Sequence, residues 1–355
     1  MKKVIFALAA VVALAACSKE QTISFDKGDA IGFNTFVENS TRSVYDPSYT
    51  NANMFSDFAV FGYVEGAVLL DGVRVAKDGA GMNANNYAGQ TKTGWKYEGT
   101  QYWIAGANYN FNAVAPMTNG GWTKVDDGTN KDATKLTFTN NGTTDLLYAT
   151  TTQQGAVSDN NAVEFEFRHV LSKVKFSFEN AYNATNATIK VKNIVVTNAH
   201  KTANVVLTDN TAWDGHATAE GFTLDFGMAT DDEATADVKE NVEVAYAYGK
   251  TYESQNELFL IPSNTYEYEV TFTVELLVSS SVVATYEHTA IAKFAPAAGN
   301  AYDIKTAINA SNIDPQHKQE PIEFTVYSLG GWDNGNTVDS TTNDEETEKD
   351  YYPLN

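Results

Sequence analysis

Cys17 is the only cysteine in the 355-residue chain. It follows an apolar run, Val4 to Ala13 (VIFALAAVVA), that continues through Leu14-Ala15-Ala16, and Lys2 and Lys3 precede that run. One thiol cannot close an intrachain disulfide. It is either alkylated at sulfur or carried as a buried or free thiol. A second candidate reaction is hydrolysis of the peptide bond between Arg42 and Ser43. Arg42, Arg74 and Arg168 are the only arginines. Arg42 lies in VENSTRSVYDPSY (37–49), a polar segment of the exposed kind that proteases cut most readily. Arg74 lies in DGVRVAKDG (71–79), near a hairpin-like turn, and Arg168 lies in a strand pattern. The alternative for Arg42 is a surface arginine without a role.

Other chemistry is not favoured by spacing. His169, His200, His216, His288 and His317 include no pair at metal-ligand separation, and His169 reads as a satisfied histidine within a strand. Glycine loops for phosphate, nucleophile elbows and His-Glu-x-x-His are missing from the sequence. The acidic groups Asp126-Asp127-Gly128, Asp231-Asp232-Glu233 and Asp344-Glu345-Glu346 could offer oxygens to calcium, but none follows the twelve-residue calcium loop. They read as solvated turns. Paired glycosidase carboxylates would be distant in sequence, and nothing here supports them. The chain is read as a non-enzyme with no catalytic, cofactor or metal site.

The segment Leu14-Ala15-Ala16-Cys17 resembles a bacterial lipobox. That resemblance implies a signal peptide over 1–16, cut between Ala16 and Cys17, and a diacylglycerol on the Cys17 sulfur. The apolar run suits a signal core and falls short of the roughly 20 residues that span a bilayer. Two or three acyl chains, at about 0.8 kcal/mol per buried methylene, make a stable anchor. No Asp follows Cys17.

The elements that must position these residues are strands. Aromatic residues are plentiful, with 19 Tyr, 19 Phe and 5 Trp, and the length allows two domains, each with a core. The formal charge of −21 repels nucleic acid and anionic lipid, so no nucleic-acid partner is expected. Period-two alternation marks EFEFRHVLSKVKFSF (164–178), YEYEVTFTVELLV (266–278), IKVKNIVV (189–196), YNFNAVAP (109–116) and IEFTVYSL (322–329). Asn-Gly at 119–120 and 141–142, with Asp-Gly at 71–72, 127–128 and 214–215, supply turn chemistry. The polar stretch TTQQGAVSDNNA (151–162) reads as a divider, which predicts an all-β protein of two tandem β-sandwiches over 43–157 and 158–332. The acidic tail 333–355 lacks apolar spacing.

Together these stretches resemble the fimbrillin-like subunits of type V pili, including the Mfa-like branch. The resemblance runs from the lipobox to Trp332. It is carried by IGFNTF (31–36) before a Thr-Arg segment, FSDFAVFGY (55–63), GWKYEGTQYWIAGANYNFNAVAP (94–116) and TDLLYAT (144–150). FRHVLSKVKFSF (167–178), ELFLIPSNTYEYEV (257–270), NAYDIKTAI (300–308) and IEFTVYSLGGW (322–332) continue it in order. It implies two transthyretin-like β-sandwiches, export as an outer-membrane lipoprotein to the cell surface, and removal of a propeptide (17–42) by an arginine-specific protease before incorporation into a fimbrium.

The mechanism implied is strand exchange. Residues Ile31 to Val37 form a strand of the first sandwich, and cleavage after Arg42 lets it leave. A strand from a neighbouring subunit then refills the groove. If about five side chains dock at ~1.5–3 kcal/mol each, gross burial reaches about 10 kcal/mol before ordering costs. Head-to-tail pairing gives a filament of pilus subunits. A stalk subunit of this family donates from its carboxyl end. Here the tail offers only Val338, Tyr351, Tyr352 and Leu354 as sizeable apolar groups, so IEFTVYSLGGW could serve instead, or the protein is a tip or an uncleaved anchor. A host glycan or protein is the implied ligand. The alternative is a monomeric surface lipoprotein that binds glycans through Trp95, Trp103, Trp122 and Trp213, residues that core packing could equally claim.

Overall fold

The computed structural model describes residues 29–37, 55–91, 93–126, 135–156, 161–207, 212–218, 221–224, 245–254, 257–313 and 320–331. Ala16, Cys17, Arg42, Ser43, His317 and the tail 333–355 lie outside the described residues.

The described chain is almost wholly β, as the alternation predicts. One sheet of seven strands carries the N-terminal half. Its strands are β1 (Phe33–Val37), β2 (Asp57–Val64), β3 (Ala67–Lys77), β4 (Trp95–Tyr97), β5 (Asn108–Ala115), β8 (Leu147–Gln154) and β9 (Val163–His169), in the order β1-β9-β8-β5-β2-β3-β4. β6 (Trp122–Lys124), β7 (Lys135–Thr139), β12 (His200–Val206) and β13 (Ala212–Thr218) form a second sheet, β13-β12-β7-β6.

Strand β2 is buried on both faces, and after Asp57 its sequence FAVFGYV carries no charged residue. Phe58 and Val60 enter a core built entirely from the seven-stranded sheet and its flanks. Ala59, Phe61 and Tyr63 enter a second core, shared with Leu136, Phe138, Ala203 and Val205 of the four-stranded sheet.

The C-terminal half is a sandwich of two five-stranded sheets. In the first, β10 (Ser172–Asn180) pairs with β16 (Thr251–Glu253), β17 (Leu258–Leu260) and β20 (Asn300–Ile308), and β20 pairs with β21 (Thr325–Gly331). In the second, β11 (Ala187–Val196) pairs with β14 (Phe222–Leu224), β15 (Tyr246–Ala247) and β18 (Tyr266–Val278), and β18 pairs with β19 (Ser281–Phe294). Alternate residues of both sheets, including Val174, Phe176, Phe178, Val270, Phe272 and Val274, fill one core.

Two sequence expectations need correction. The stretch 151–162 does not divide the sheets. β8 runs through Gln154, and β9, beyond the stretch, pairs antiparallel with β8 in the same sheet. β12, from beyond the 157/158 boundary, also pairs with β7. The reason is that strand membership follows which apolar face a strand can cover, and a polar connection within a sheet looks like one between domains. Likewise, Asp71-Gly72 and Asp214-Gly215 are not turns. They lie within β3 and β13, beside register shifts, with Gly72 at φ 65° and Gly215 at φ 61°. Glycine serves there as a bulge residue with positive φ. The hairpin tips use Glu65-Gly66 and Ser279-Ser280 instead, each pair at positive φ.

Candidate functional site

The segment 29–37 joins two parts of the seven-stranded sheet. Its first residues meet the chain just beyond β4. The Ile31 amide donates to the Gln101 carbonyl (2.8 Å), the Trp103 amide donates to the Asp29 carbonyl (3.1 Å), and Ala30 bridges Tyr102 antiparallel. The following residues turn to β9. The Val163 amide donates to the Gly32 carbonyl (2.8 Å), and β1 runs parallel to β9 in a register from Phe33↔Val163 to Val37↔Phe167. The sequence run Ile31 to Val37 therefore contains the strand Phe33–Val37, with Ile31 tied to the opposite neighbour.

Alternation sets which side chains enter the core. Ile31 and Phe33 are fully buried, whereas Asn34, the next residue of β1, is exposed. Phe33 sits in an aromatic seat, with ring centroids 5.2 Å from Tyr97, 5.7 Å from Phe165 and 5.9 Å from Phe111. Phe165 and Phe167 reach the same core because β9 alternates them with exposed Glu164 and Glu166. Burying the Ile31 and Phe33 side chains contributes about 1.5–3 kcal/mol each. Tyr97 completes the seat. Its hydroxyl donates to the Ile31 carbonyl (3.1 Å) and accepts the Gln101 amide (3.0 Å). Burial pushes the Tyr97 phenol well up, so it stays protonated and able to donate.

The arrangement can bind an extended strand. Withdrawal of 29–37 uncovers an aromatic slot. It also leaves donors and acceptors unpaired on both flanks, including the Val163 amide and the Gln101 carbonyl, and a replacement strand restores both.

The other predicted residues fall elsewhere. Arg74 sits on β3, and its Nε donates to the Asp57 carboxylate (2.7 Å). Asp57 is fully buried. Burial alone would raise its pKa, but hydrogen bonds from the Thr118 side chain and amide and the Arg74 guanidinium hold it below the ordinary carboxylate range. Arg168 lies on β9, 5.8 Å from the Tyr148 ring. His169 contacts Asp145 as a buried, satisfied residue. Among the described residues no group of three or more His, Cys, Asp or Glu is arranged to hold a metal. Of the four tryptophans, two are buried and two half-buried. Trp95 and Trp103 are buried, Trp122 donates to the Pro116 carbonyl (2.8 Å), and half-buried Trp213 packs edge-on to Phe138. Among the described residues no helix is long and apolar enough to cross a membrane.

Sequence reasoning missed Tyr97 and the Gln101–Trp103 flank. Their signal was the aromatic density of GWKYEGTQYW and its part in the family resemblance, neither of which says what these residues face.

A fimbrillin-like family profile matches residues 22–328, which is most of the chain. Among solved structures, a fimbrial protein from Bacteroides vulgatus matches with a TM-score of 0.54 at 15% identity, over 85% of this chain and 99% of that one. At that identity the likeness is one of fold. The fimbrial anchor protein Mfa2 from Porphyromonas gingivalis matches at 12% identity over 85% of this chain and 97% of that one, with a TM-score of 0.35. No curated protein matches.

Proposed function

Because the chain belongs to the fimbrillin-like family, we propose that it is a structural subunit or tip adhesin of a type V pilus, assembled by strand exchange. In this reading the chain is exported as a lipoprotein anchored through Cys17, and cleavage between Arg42 and Ser43 separates the strand from the fold it completes. The single observation that supports the reading is the place of residues 29–37. They carry fully buried Ile31 and Phe33, yet lie N-terminal to the expected cut and are linked to the rest only by hydrogen bonds and packing once it is made. A subunit strand with the same alternation would recover that burial and the ladder. The protein acts by binding and assembly, with no reaction of its own.

The test uses the purified precursor and an arginine-specific protease. Intact mass should show a chain beginning at Ser43. That chain should form oligomers in light scattering, or capture a synthetic peptide of residues 29–37 once the native strand is displaced. A cleaved chain that stays monomeric and ignores the peptide would end the strand-exchange account. Export is tested separately. Cells fed radiolabelled palmitate should label the wild-type chain and not Cys17→Ser, and equal labelling of both would remove the lipid anchor.

A further inference from the structure

The outward face of the seven-stranded sheet changes character along its length. Near the four-stranded sheet it presents Ala59, Phe61 and Val114, among others, and is covered by Leu136, Phe138, Ala203 and Val205. Toward the Glu65-Gly66 tip it opens into a groove of about 670 Å³ lined by Tyr63, Glu65, Asn108, Asn110, Thr152 and Gln154, among others. Residues directly opposite on neighbouring strands share a face. Val68, Tyr63, Asn110 and Thr152 therefore make one row across four strands, through the pairs Tyr63↔Val68, Tyr63↔Asn110 and Asn110↔Thr152. Glu65, Asn108 and Gln154 make the next row, through Asn108↔Gln154 and the Glu65 amide on the Asn108 carbonyl (3.0 Å). The sequence NYNFN produces this directly, since alternation sends Tyr109 and Phe111 to the core and the asparagines outward.

These rows are rich in side-chain amides and hydroxyls. Several outward strand positions elsewhere carry charge: Glu164 and Glu166 on β9, Lys175 paired with Glu253, Lys192 with Glu275, and Lys293 with Glu267. In the groove the polar groups are amides and hydroxyls. The one carboxylate among the described lining residues, Glu65, already accepts from the Asn108 amide (2.6 Å) and side chain (3.2 Å). Among the described residues no lysine or arginine lines it, so none of them offers an anionic ligand a counter-charge. Asn and Gln each present two donors and an acceptor, and Thr presents one donor and two lone pairs. Strand spacing sets these groups on a grid of roughly 5 by 7 Å. Val68, 58% exposed at the end of the row, adds an open apolar contact.

We propose that this groove binds a neutral saccharide of two or three rings. Vicinal hydroxyls match the paired donor and acceptor of each amide, and the C–H face of a ring matches Val68. The volume lies within the usual range for small-ligand sites. The inference deepens the adhesin half of the proposed function and assigns its ligand class.

The test is a glycan array on the intact chain. Amide shift mapping follows, with lactose, cellobiose, maltotriose, mannobiose and N,N′-diacetylchitobiose as probes and sialyllactose as the anionic control. At least one neutral sugar should bind, with shifts confined to 63–68, 108–112 and 150–154. The double variant Asn110→Ala/Thr152→Ala changes two exposed positions and should keep the native circular dichroism. It should weaken binding at least tenfold. No neutral glycan bound, equal binding by the double variant, or a preference for sialyllactose would each overturn the proposal. Protease-triggered assembly of the wild type and of the same variant separates the two ideas. If assembly fails in wild type while the sugar still binds, strand exchange falls and the groove stands.

Discussion

The Tyr97 hydroxyl donates a 3.1 Å hydrogen bond to the carbonyl of Ile31, 66 residues earlier in the chain. It accepts the Gln101 amide at 3.0 Å, and the Gln101 carbonyl in turn accepts the Ile31 amide at 2.8 Å. One phenol thus latches the N-terminal segment to the sheet edge beyond β4, while β9 holds the following strand. The latch is made of hydrogen bonds alone and can be tested by deleting one atom.

Tyr97→Phe keeps the ring against Phe33 and removes the hydroxyl, leaving the Ile31 carbonyl without its side-chain donor and the Gln101 amide without its acceptor. The expected loss is about 1–3 kcal/mol. Hydrogen exchange should accelerate at Ile31 and Gln101 while the β10 and β20 amides keep their wild-type rates. Unchanged exchange at Ile31 would mean that the latch does not hold the segment.

Phe33→Ala removes a fully buried ring with three aromatic neighbours and should destabilise the precursor by about 3–5 kcal/mol in denaturant unfolding. Asn34→Ala, one residue on and exposed, should stay within about 0.5 kcal/mol. Equal effects at the two positions would contradict the alternation of β1.

Limited digestion with an arginine-specific protease should discriminate among the three arginines. Arg74 is engaged with Asp57 within β3, and Arg168 lies in β9. Strand backbone held in a ladder does not fit a protease cleft without local unfolding. Mass spectrometry of the native digest should find the cut after Arg42, with the bonds after Arg74 and Arg168 intact until the chain is denatured. Early cleavage after Arg74 would argue against the β2–β3 pairing.

Stability should fall with mild acid. His200 lies 4.8 Å from the His216 ring and 4.5 Å from Tyr266, and His288 stacks on Phe272 at 5.5 Å. Burial holds both imidazoles below the ordinary 6.5, with repulsion from His216 adding to the effect at His200. The unfolded chain therefore takes up these protons first as pH falls. The stability contributed by the neutral rings is complete above about 6.5 and is lost as pH drops from there through the lowered folded values. Asp303 works in the opposite sense. Its carboxyl is raised chiefly by burial, so its ionisation destabilises the fold as pH rises through that raised value. Thermal melts at pH 7.5 and 5.5 should show a drop for the wild type. The drop should be smaller for His288→Phe, which keeps the ring and removes the titration. An identical drop in that variant would exclude His288 as a contributor.

The sequence by itself determined the all-β class, the faces of most strands and the aromatic stock of the cores. Period-two alternation fixes which side chains share a face whatever the partner strand. YEYEVTFTVELLV became β18 residue for residue, and EFEF placed Phe165 and Phe167 inward beside exposed glutamates. The same property limited the reading. Alternation says nothing of which strand lies alongside, so the 151–162 connection resembled a domain border although it joins two neighbours of one sheet. Asp-Gly at 71–72 and 214–215 resembled turns because a bulge and a turn both need positive φ from glycine. Only the tertiary structure decided that Ile31 meets Tyr97 and Gln101, that Phe33 meets Phe165, and that Asn110 lies between Tyr63 and Thr152. Those contacts join residues separated by tens of positions. Their partners are chosen by burial and ladder pairing across the whole sheet, which no local stretch of chain encodes.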